Sequence, residues 1–98
     1  MVSIIENWAV IIGIVVGITQ ADMDPNTTLL EVQIDRIQHY ENYPMLITQR
    51  PSERVTINVK NAKVGEELLN APIEVRVRRG RDPGVLFAAP DWNPAPTR

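Results

Sequence analysis

The hydrophobic positions of this chain fall into five stretches, and the first of them is the longest. Residues 8–20 are almost entirely apolar, rich in Val and Ile, and contain Gly13 and Gly17. Because β-branched side chains favour extended backbone and a glycine inside such a run marks a bend or a bulge, this stretch predicts a long, bent strand. Its apolar side chains occupy both faces, at positions 10, 12, 14, 16 and 18 and at positions 11 and 15. We therefore expect both faces to be covered, as in a strand shared between two halves of a closed barrel.

A membrane segment is the alternative interpretation of this stretch. Residues 9–18 supply ten apolar or glycine residues, whereas a spanning helix needs about 18 to 20. Glu6 and Asn7 precede the run and no basic residue occurs before Arg36, so a signal peptide would lack its basic leader. The length and the flanks favour a strand of a soluble, cytoplasmic protein with no membrane partner. The absence of cysteine is compatible with that location.

Two strands with clear alternation follow. In the second stretch, residues 29–40, Leu30, Val32 and Ile34 alternate with polar residues, which places one face of the strand in a core. The alternation slips after Ile34, where two charged residues intervene, and such a slip predicts a β-bulge that lets a long strand curl. The third stretch, residues 54–60, alternates most cleanly. Its outward side chains are those of Arg54, Thr56, Asn58 and Lys60.

The remaining elements are short. Residues 61–70 are the only candidate for a helix, and Gly65 limits it to one or two turns, in part 3₁₀. Residues 73–78 alternate again as a fourth strand. Residues 81–84 contain the proline and glycine of a turn, and the residues from 85 to 88 or 89 then form the fifth strand.

The connection between the second and third strands is unusually apolar. Residues 41–53 contain two prolines and follow no clean period, which is typical of a long loop. Four of its side chains are nevertheless hydrophobic, those of Tyr43, Met45, Leu46 and Ile47. We expect this segment either to fold back over one end of a barrel or to contact a neighbouring subunit.

The order of these elements resembles that of the OB-fold class. The glycine-interrupted residues 10–17 look like the coiled first strand of that class, and residues 61–70 look like the helix between its third and fourth strands. We therefore predict an all-β chain with one short helix, folded as a small five-stranded OB-like Greek-key barrel. The barrel takes up residues 1–89 as one domain, and the proline-rich residues 90–98 form an extended tail.

The resemblance also implies where a ligand binds. In the OB class the binding surface lies on the second and third strands, bordered by the loops that follow the first and fourth strands. On this sequence that surface comprises Glu31, Gln33, Arg54, Thr56 and Asn58, with residues 22–28 and 79–84 at its rim. OB-folds bind oligonucleotides, oligosaccharides or proteins, so the resemblance leaves the ligand open.

Charge is distributed unevenly along the chain. Residues 1–35 hold five acidic and no basic residues, whereas residues 36–98 hold ten basic and seven acidic residues. Such asymmetry can orient a partner or a second copy of the chain. The basic residues concentrate at Arg76, Arg78, Arg79 and Arg81. This group predicts a compact cationic edge. Such an edge could follow a phosphate backbone, could bind an acidic protein or a second copy of the chain, or could simply keep a strand edge soluble.

Residues that would support catalysis are scarce. Ser3 and Ser52 are the only serines, there is no cysteine, and His39 is the only histidine. A zinc site needs more His or Cys ligands than one such chain offers, and the sequence contains no glycine-rich phosphate loop. We therefore expect no enzyme activity, no metal site and no cofactor.

Two functions remain open. The first is a small non-enzymatic binding or assembly module that acts through protein contacts or self-association, with the loop of Tyr43, Met45, Leu46 and Ile47 as one contact surface. The alternative is a single-stranded nucleic-acid-binding OB-fold protein that uses the four arginines of the cationic edge. The alternative lacks an aromatic residue at the outward positions of the second and third strands, where bases would stack.

Overall fold

Five strands of this protein form a closed barrel in the order β1-β2-β3-β5-β4. The computed structural model describes residues 6–21, 24–60, 64–80 and 84–94. The strands are β1 (Ala9–Gln20), β2 (Thr27–His39), β3 (Arg54–Lys60), β4 (Pro72–Arg79) and β5 (Leu86–Ala88), and one 3₁₀ turn, Glu66–Leu68, lies between β3 and β4. β3 and β5 are parallel, the other neighbours are antiparallel, and the pairing of β1 with β4 closes the barrel. The predicted all-β, five-stranded barrel with one short helical element is confirmed.

Two bulges bend the long β1–β2 pair. Opposite Ile12 and Gly13, the partner on β2 changes from Arg36 to Ile34, so Asp35 is an extra residue at the position where the sequence predicted a slip. A second shift lies between Val15 and Gly17 on β1. Because an extra residue bends a strand and increases its twist, the two bulges allow these long strands to curl into a barrel.

The core is built from alternate residues of all five strands. Each strand contributes at least one fully buried side chain, and one from each of β1 to β5 in order is Ile11, Val32, Ile57, Val75 and Leu86. Leu68 of the 3₁₀ turn joins the same cluster, and Val64 packs against it. The alternation seen in the sequence therefore identifies the inward positions of β2, β3 and β4.

The outer face of β1 departs from the expectation. Ile11 and Val15 point into the core and are fully buried, whereas Val10 and Ile12 are only half-buried and Ile14 is 47 % exposed. The expectation that both apolar faces of this strand are covered is therefore wrong for residues 10–14. A barrel wall is one sheet thick, and only its inner face lies in the core.

Both the long loop and the C-terminal segment are held on the barrel. The loop returns beside the β2 bulge, where the Ser52 amide donates to the Ile34 carbonyl at 2.8 Å, and its Ile47 packs against the core. Past β5, the Ala89 amide donates to the Arg76 carbonyl at 2.8 Å, and the Trp92 indole donates to the Glu74 carbonyl at 3.0 Å. The predicted tail is therefore held against β4 at Trp92.

Candidate functional site: an aromatic and cationic belt

The residues predicted on the third strand lie on the outer face of β3. Arg54 and Thr56 are exposed, and Asn58 is half-buried because its amide donates to the Leu86 carbonyl of β5 at 3.0 Å. The Arg54 guanidinium lies 3.5 Å from the Glu31 carboxylate on β2. Both side chains of that pair are largely exposed, so it contributes little to stability.

The predicted arginines separate into different environments. Arg76 and Arg78 share the outer face of β4, as the alternation predicts. Arg79 has the opposite parity, and its guanidinium donates to the Leu46 carbonyl of the long loop at 3.4 Å. The side-chain amide of Asn7 forms two hydrogen bonds with the Arg79 backbone. Asn7 Oδ1 accepts from the Arg79 N–H at 2.8 Å, and Asn7 Nδ2 donates to the Arg79 carbonyl at 3.3 Å. Arg81 lies outside the described residues.

Arg76 is stacked among aromatic rings. Its guanidinium carbon lies 4.9 Å from the centroid of the Tyr40 ring and 5.2 Å from that of Trp8. Its Nη1 donates to the Tyr40 hydroxyl at 3.1 Å, and its Nη2 donates to the Asp91 carboxylate at 2.8 Å. The Tyr40 ring in turn stacks on that of Tyr43, with centroids 6.0 Å apart and an interplanar angle of 12°. Arg76 therefore organises the rings around it.

Phe87 is the centre of a second group. Its ring lies 5.2 Å from the Lys60 ammonium and 5.6 Å from the Arg78 guanidinium. The strand register brings them together, because Phe87 is paired with Arg78 on β4 and with Asn58 on β3. These four side chains line a pocket of 340 Å³ together with Trp8, Ala88 and Pro90.

Gly80 allows the Phe87 ring to lie close to the end of β4. A Cβ atom at residue 80 would lie 2.8 Å from Phe87 Cε2, a distance at which one of the two must move. The Gly80 amide donates to the Val85 carbonyl at 3.1 Å, which fixes the start of the following loop. The pocket thus lies at the base of the loop between β4 and β5.

Trp8 joins the two groups, because it stacks on Arg76 and also lines the Phe87 pocket. We call the combined surface the belt; its residues are Trp8, Tyr40, Tyr43, Lys60, Arg76, Arg78 and Phe87. Four aromatic rings and three cations thus occupy one outer surface of the barrel. Among the described residues, Lys60 and Arg78 form no ion pair with a carboxylate.

The loop between β1 and β2 has a carboxylate beside the belt. The pKa of Asp24 lies below its ordinary value because the Thr27 hydroxyl donates to its carboxylate, with further contributions from the Asn26 amide and the positive charge of Lys60. The Thr27 hydrogen bond is 2.7 Å long and that from Asn26 is 2.9 Å. Asp24 is therefore ionised at neutral pH. Thr27, which donates to it, is paired across the strands with Lys60.

The predicted interaction loop is divided between several surroundings. Tyr43 lies at one end of the belt, and the Leu46 carbonyl binds Arg79. Ile47 packs against the core, and Met45 is half-buried. At Ile47 the loop therefore folds back over the barrel, which is one of the two arrangements expected from the sequence.

The sequence predicted Arg76 and Arg78 as binding residues and Tyr43 as a contact residue, but it did not predict that Lys60 or the other three rings belong to the same site. The rings come from four separate places: the residue before β1, the residue after β2, the long loop and β5. The one available indication was the outward position of Phe87 between two strands that end in basic residues.

Within the described segments, no three His, Asp or Glu side chains come close enough together to share a metal ion. The described chain also contains no helix that is long and apolar enough to cross a membrane. The sequence matches no protein-family model, and comparison with curated proteins and with solved structures yields no significant match.

Proposed function

We propose that this protein is a non-enzymatic binding module of the OB class, and that it binds single-stranded nucleic acid on the belt. The observation that carries the proposal is the position of the Phe87 ring between Lys60 and Arg78, beside a pocket that Trp8 also lines. A nucleic acid strand offers flat bases and anionic phosphates at short intervals. A surface that alternates rings and cations matches both.

Base stacking and phosphate contacts would together supply the binding free energy on the belt. Stacking of one base on an aromatic side chain contributes about 1 to 3 kcal/mol and tolerates any base. Phosphate contacts release counterions and therefore depend on salt. The pocket volume of 340 Å³ is near the lower end of small-ligand sites, which span about 300 to 1,000 Å³. The pocket is therefore suited to one flat group, such as a base, rather than to the surface of a protein partner.

The position of the pocket also supports the OB class. In that class the ligand lies on the second and third strands, between the loop after the first strand and the loop after the fourth strand. The pocket lies beside that surface and shares Asn58 and Lys60 of β3 with it. Lys60 is paired across the strands with Thr27, which donates a hydrogen bond to Asp24 in the first of these loops. Arg78 and Gly80 lead into the second loop. Further support comes from the strand order and from the 3₁₀ turn between β3 and β4, which agree with the predicted OB-like element order.

Assembly through protein contacts, the other function that the sequence predicts, remains a proposal. Its predicted contact surface is the loop of Tyr43, Met45, Leu46 and Ile47, and the exposed outer face of β1 offers a second surface. The cytoplasmic location likewise remains an expectation. Tyr43 belongs both to that loop and to the belt, whereas the outer face of β1 contains no belt residue, so assembly on β1 can be tested separately from nucleic-acid binding.

Fluorescence anisotropy with a labelled oligothymidylate at low salt tests nucleic-acid binding. The logarithm of the binding constant should fall with the logarithm of salt with a slope of about −0.7 for each phosphate that is neutralised. We expect Lys60→Gln combined with Arg78→Gln to weaken binding at least tenfold and to reduce that slope. Arg54→Gln is the matched control, because Arg54 is an exposed cation on the same face of β3 but outside the belt.

Two results of this experiment would contradict the proposal. One is the absence of binding at low salt. The other is an equal loss with Arg54→Gln, which would place the ligand on the β2–β3 surface instead of on the belt. Circular dichroism of each variant shows whether the barrel is intact.

Trp8 offers a second, direct measurement. The chain has two tryptophans, so Trp92→Phe leaves Trp8 as the only one. We expect the oligonucleotide to quench Trp8 fluorescence in this variant, because bases that stack on the belt approach the indole. Binding by anisotropy without a change in Trp8 fluorescence would show that the ligand lies elsewhere.

A further inference from the structure

The outer face of β1 carries an apolar strip, which consists of Val10, Ile12 and Ile14. All three side chains point away from the core because Ile11 and Val15, of opposite parity, are fully buried. Ile14 is 47 % exposed and is one of two large hydrophobic residues with such exposure among the described residues. β-branched side chains in line on an exposed strand favour contact with another flat surface.

Polar side chains border the strip on both sides, and their charges have opposite signs at its centre. Ile12 pairs with Arg36 on β2 and with Glu74 on β4. Residues paired across neighbouring strands point to the same face, so Arg36, Ile12 and Glu74 form one row on the outer surface. The rows on either side contain no acidic residue: Val10 lies between Gln38 and Arg76, and Ile14 lies between Gln33 and Pro72.

Arg36 and Glu74 are both available for a partner. The only ion pair of Arg36 in the described chain is with its neighbour Asp35, at 4.0 Å, and both of those side chains are well exposed. Such a pair is weak. The Glu74 carboxylate is exposed and forms no ion pair with another described residue.

We propose that a second copy of this chain binds to the strip, with a two-fold axis that runs along β1 within the interface. Rotation about this axis exchanges the β2 side of the strip for the β4 side. Arg36 then faces Glu74 of the second copy, Glu74 faces Arg36 of the second copy, and Ile12 lies against its own equivalent. This self-complementarity is what a two-fold interface requires.

Charge excludes the other simple arrangement. A two-fold axis across β1, also within the interface, would place Arg36 against Arg36 and Glu74 against Glu74, and like charges facing each other are unfavourable. A stable dimer buries about 800 Å² on each partner, and three aliphatic side chains provide only part of that area. We therefore expect a reversible dimer whose population rises with protein concentration. The proposal does not rest on nucleic-acid binding, although Arg76 of the belt borders the strip at Val10.

Sedimentation equilibrium over about a hundredfold range of protein concentration tests the dimer. We expect Ile14→Asp to weaken dimerisation at least tenfold. The matched control is Leu69→Asp, because Leu69 is 45 % exposed but lies outside the strip, and it should leave the dimer unchanged. A monomer at every concentration overturns the proposal, and so does a dimer that Leu69→Asp weakens as much as Ile14→Asp.

Charge reversal tests the axis. Arg36→Glu alone and Glu74→Arg alone should each dissociate the dimer, because each places like charges opposite one another. The two substitutions together should restore dimerisation to within about threefold of the original. Failure of the double variant to restore it, with each protein folded by circular dichroism, overturns the proposed axis. All of these substitutions are at exposed positions, so the barrel core is not altered.

Discussion

Gly13 of β1 lies against the Gln33 backbone of β2 so closely that a Cβ atom at residue 13 would overlap the Gln33 carbonyl oxygen. The same Cβ atom would also lie 2.9 Å from Val32 Cγ1. This contact occurs beside the first bulge, between Ile12 and Gly13. Glycine is therefore required at position 13 by space rather than by backbone angle.

We expect Gly13→Ala to lower the free energy of unfolding by about 1 to 3 kcal/mol, the usual cost of an overpacked site. Gly17→Ala is the control, because a Cβ atom there would be 3.4 Å from the flexible end of Glu31 and would touch no backbone. Its cost should stay within about 0.5 kcal/mol. Urea unfolding of both variants gives the comparison, and equal costs would show that the strands can separate at Gly13.

The elements of the fold were predictable because period-two alternation reports directly on burial in a barrel. β3 has the predicted bounds, Arg54–Lys60, and the slip after Ile34 became the bulge at Asp35. The first strand was harder, because both of its faces are apolar. Local hydrophobicity cannot tell which face of such a strand points inward, since that choice depends on strand register.

The belt could not be predicted for a different reason. Trp8 and Tyr40 each lie one residue outside a strand, and Tyr43 lies in a loop. The alternation of apolar and polar residues predicts side-chain direction only within a strand, and not for residues beyond its ends. Their convergence depends on the Arg76 guanidinium, which lies within 5.2 Å of the centroids of both Trp8 and Tyr40. The alternation in the sequence predicts that Arg76 points outward, but it does not predict that Arg76 contacts Trp8 and Tyr40.

Arg76 should be more than a positive charge. Arg76→Lys keeps the charge but loses the flat group that stacks on Trp8 and Tyr40, and each such contact contributes about 0.5 to 1 kcal/mol. We therefore expect Arg76→Lys to lower the free energy of unfolding, measured by urea denaturation, by about 1 to 2 kcal/mol. The near-ultraviolet circular dichroism signal should also decrease. Arg54→Lys, in the exposed pair with Glu31, should change stability by less than about 0.5 kcal/mol. Equal effects of the two substitutions would contradict the structural role of the stack.

Asp91 should weaken oligonucleotide binding in the native protein. Its carboxylate lies 2.8 Å from Arg76 Nη2 and places a negative charge at the belt. We expect Asp91→Asn to strengthen binding by about two- to fivefold at low salt, as removal of one nearby surface charge would do. The gain should disappear as salt rises.

Glu66→Gln is the control for this prediction. It changes the net charge by the same amount but lies on the 3₁₀ turn, outside the belt. If it strengthens binding as much as Asp91→Asn, the effect comes from total charge and not from the local carboxylate.

The hydrogen bond from Thr27 to Asp24 should make stability depend on acidic pH. It holds the pKa of Asp24 below its ordinary value in the folded protein. The resulting stabilisation is fully present above the unfolded value of about 3.9 and is lost as pH falls through the lower folded value. Thr27→Val keeps the volume of this buried side chain but removes the donor.

We therefore expect Thr27→Val to raise the pKa of Asp24, measured by NMR titration of its carboxyl carbon, and to destabilise the protein at neutral pH. The difference in unfolding free energy between Thr27→Val and the native protein should shrink below about pH 4, because protonation of Asp24 removes the charged acceptor in both. In an Asp24→Asn background, the cost of Thr27→Val should not vary with acidic pH, since no charge titrates at residue 24. A cost that stays constant with pH in the native background would mean that the ionised carboxylate is not what the hydroxyl stabilises.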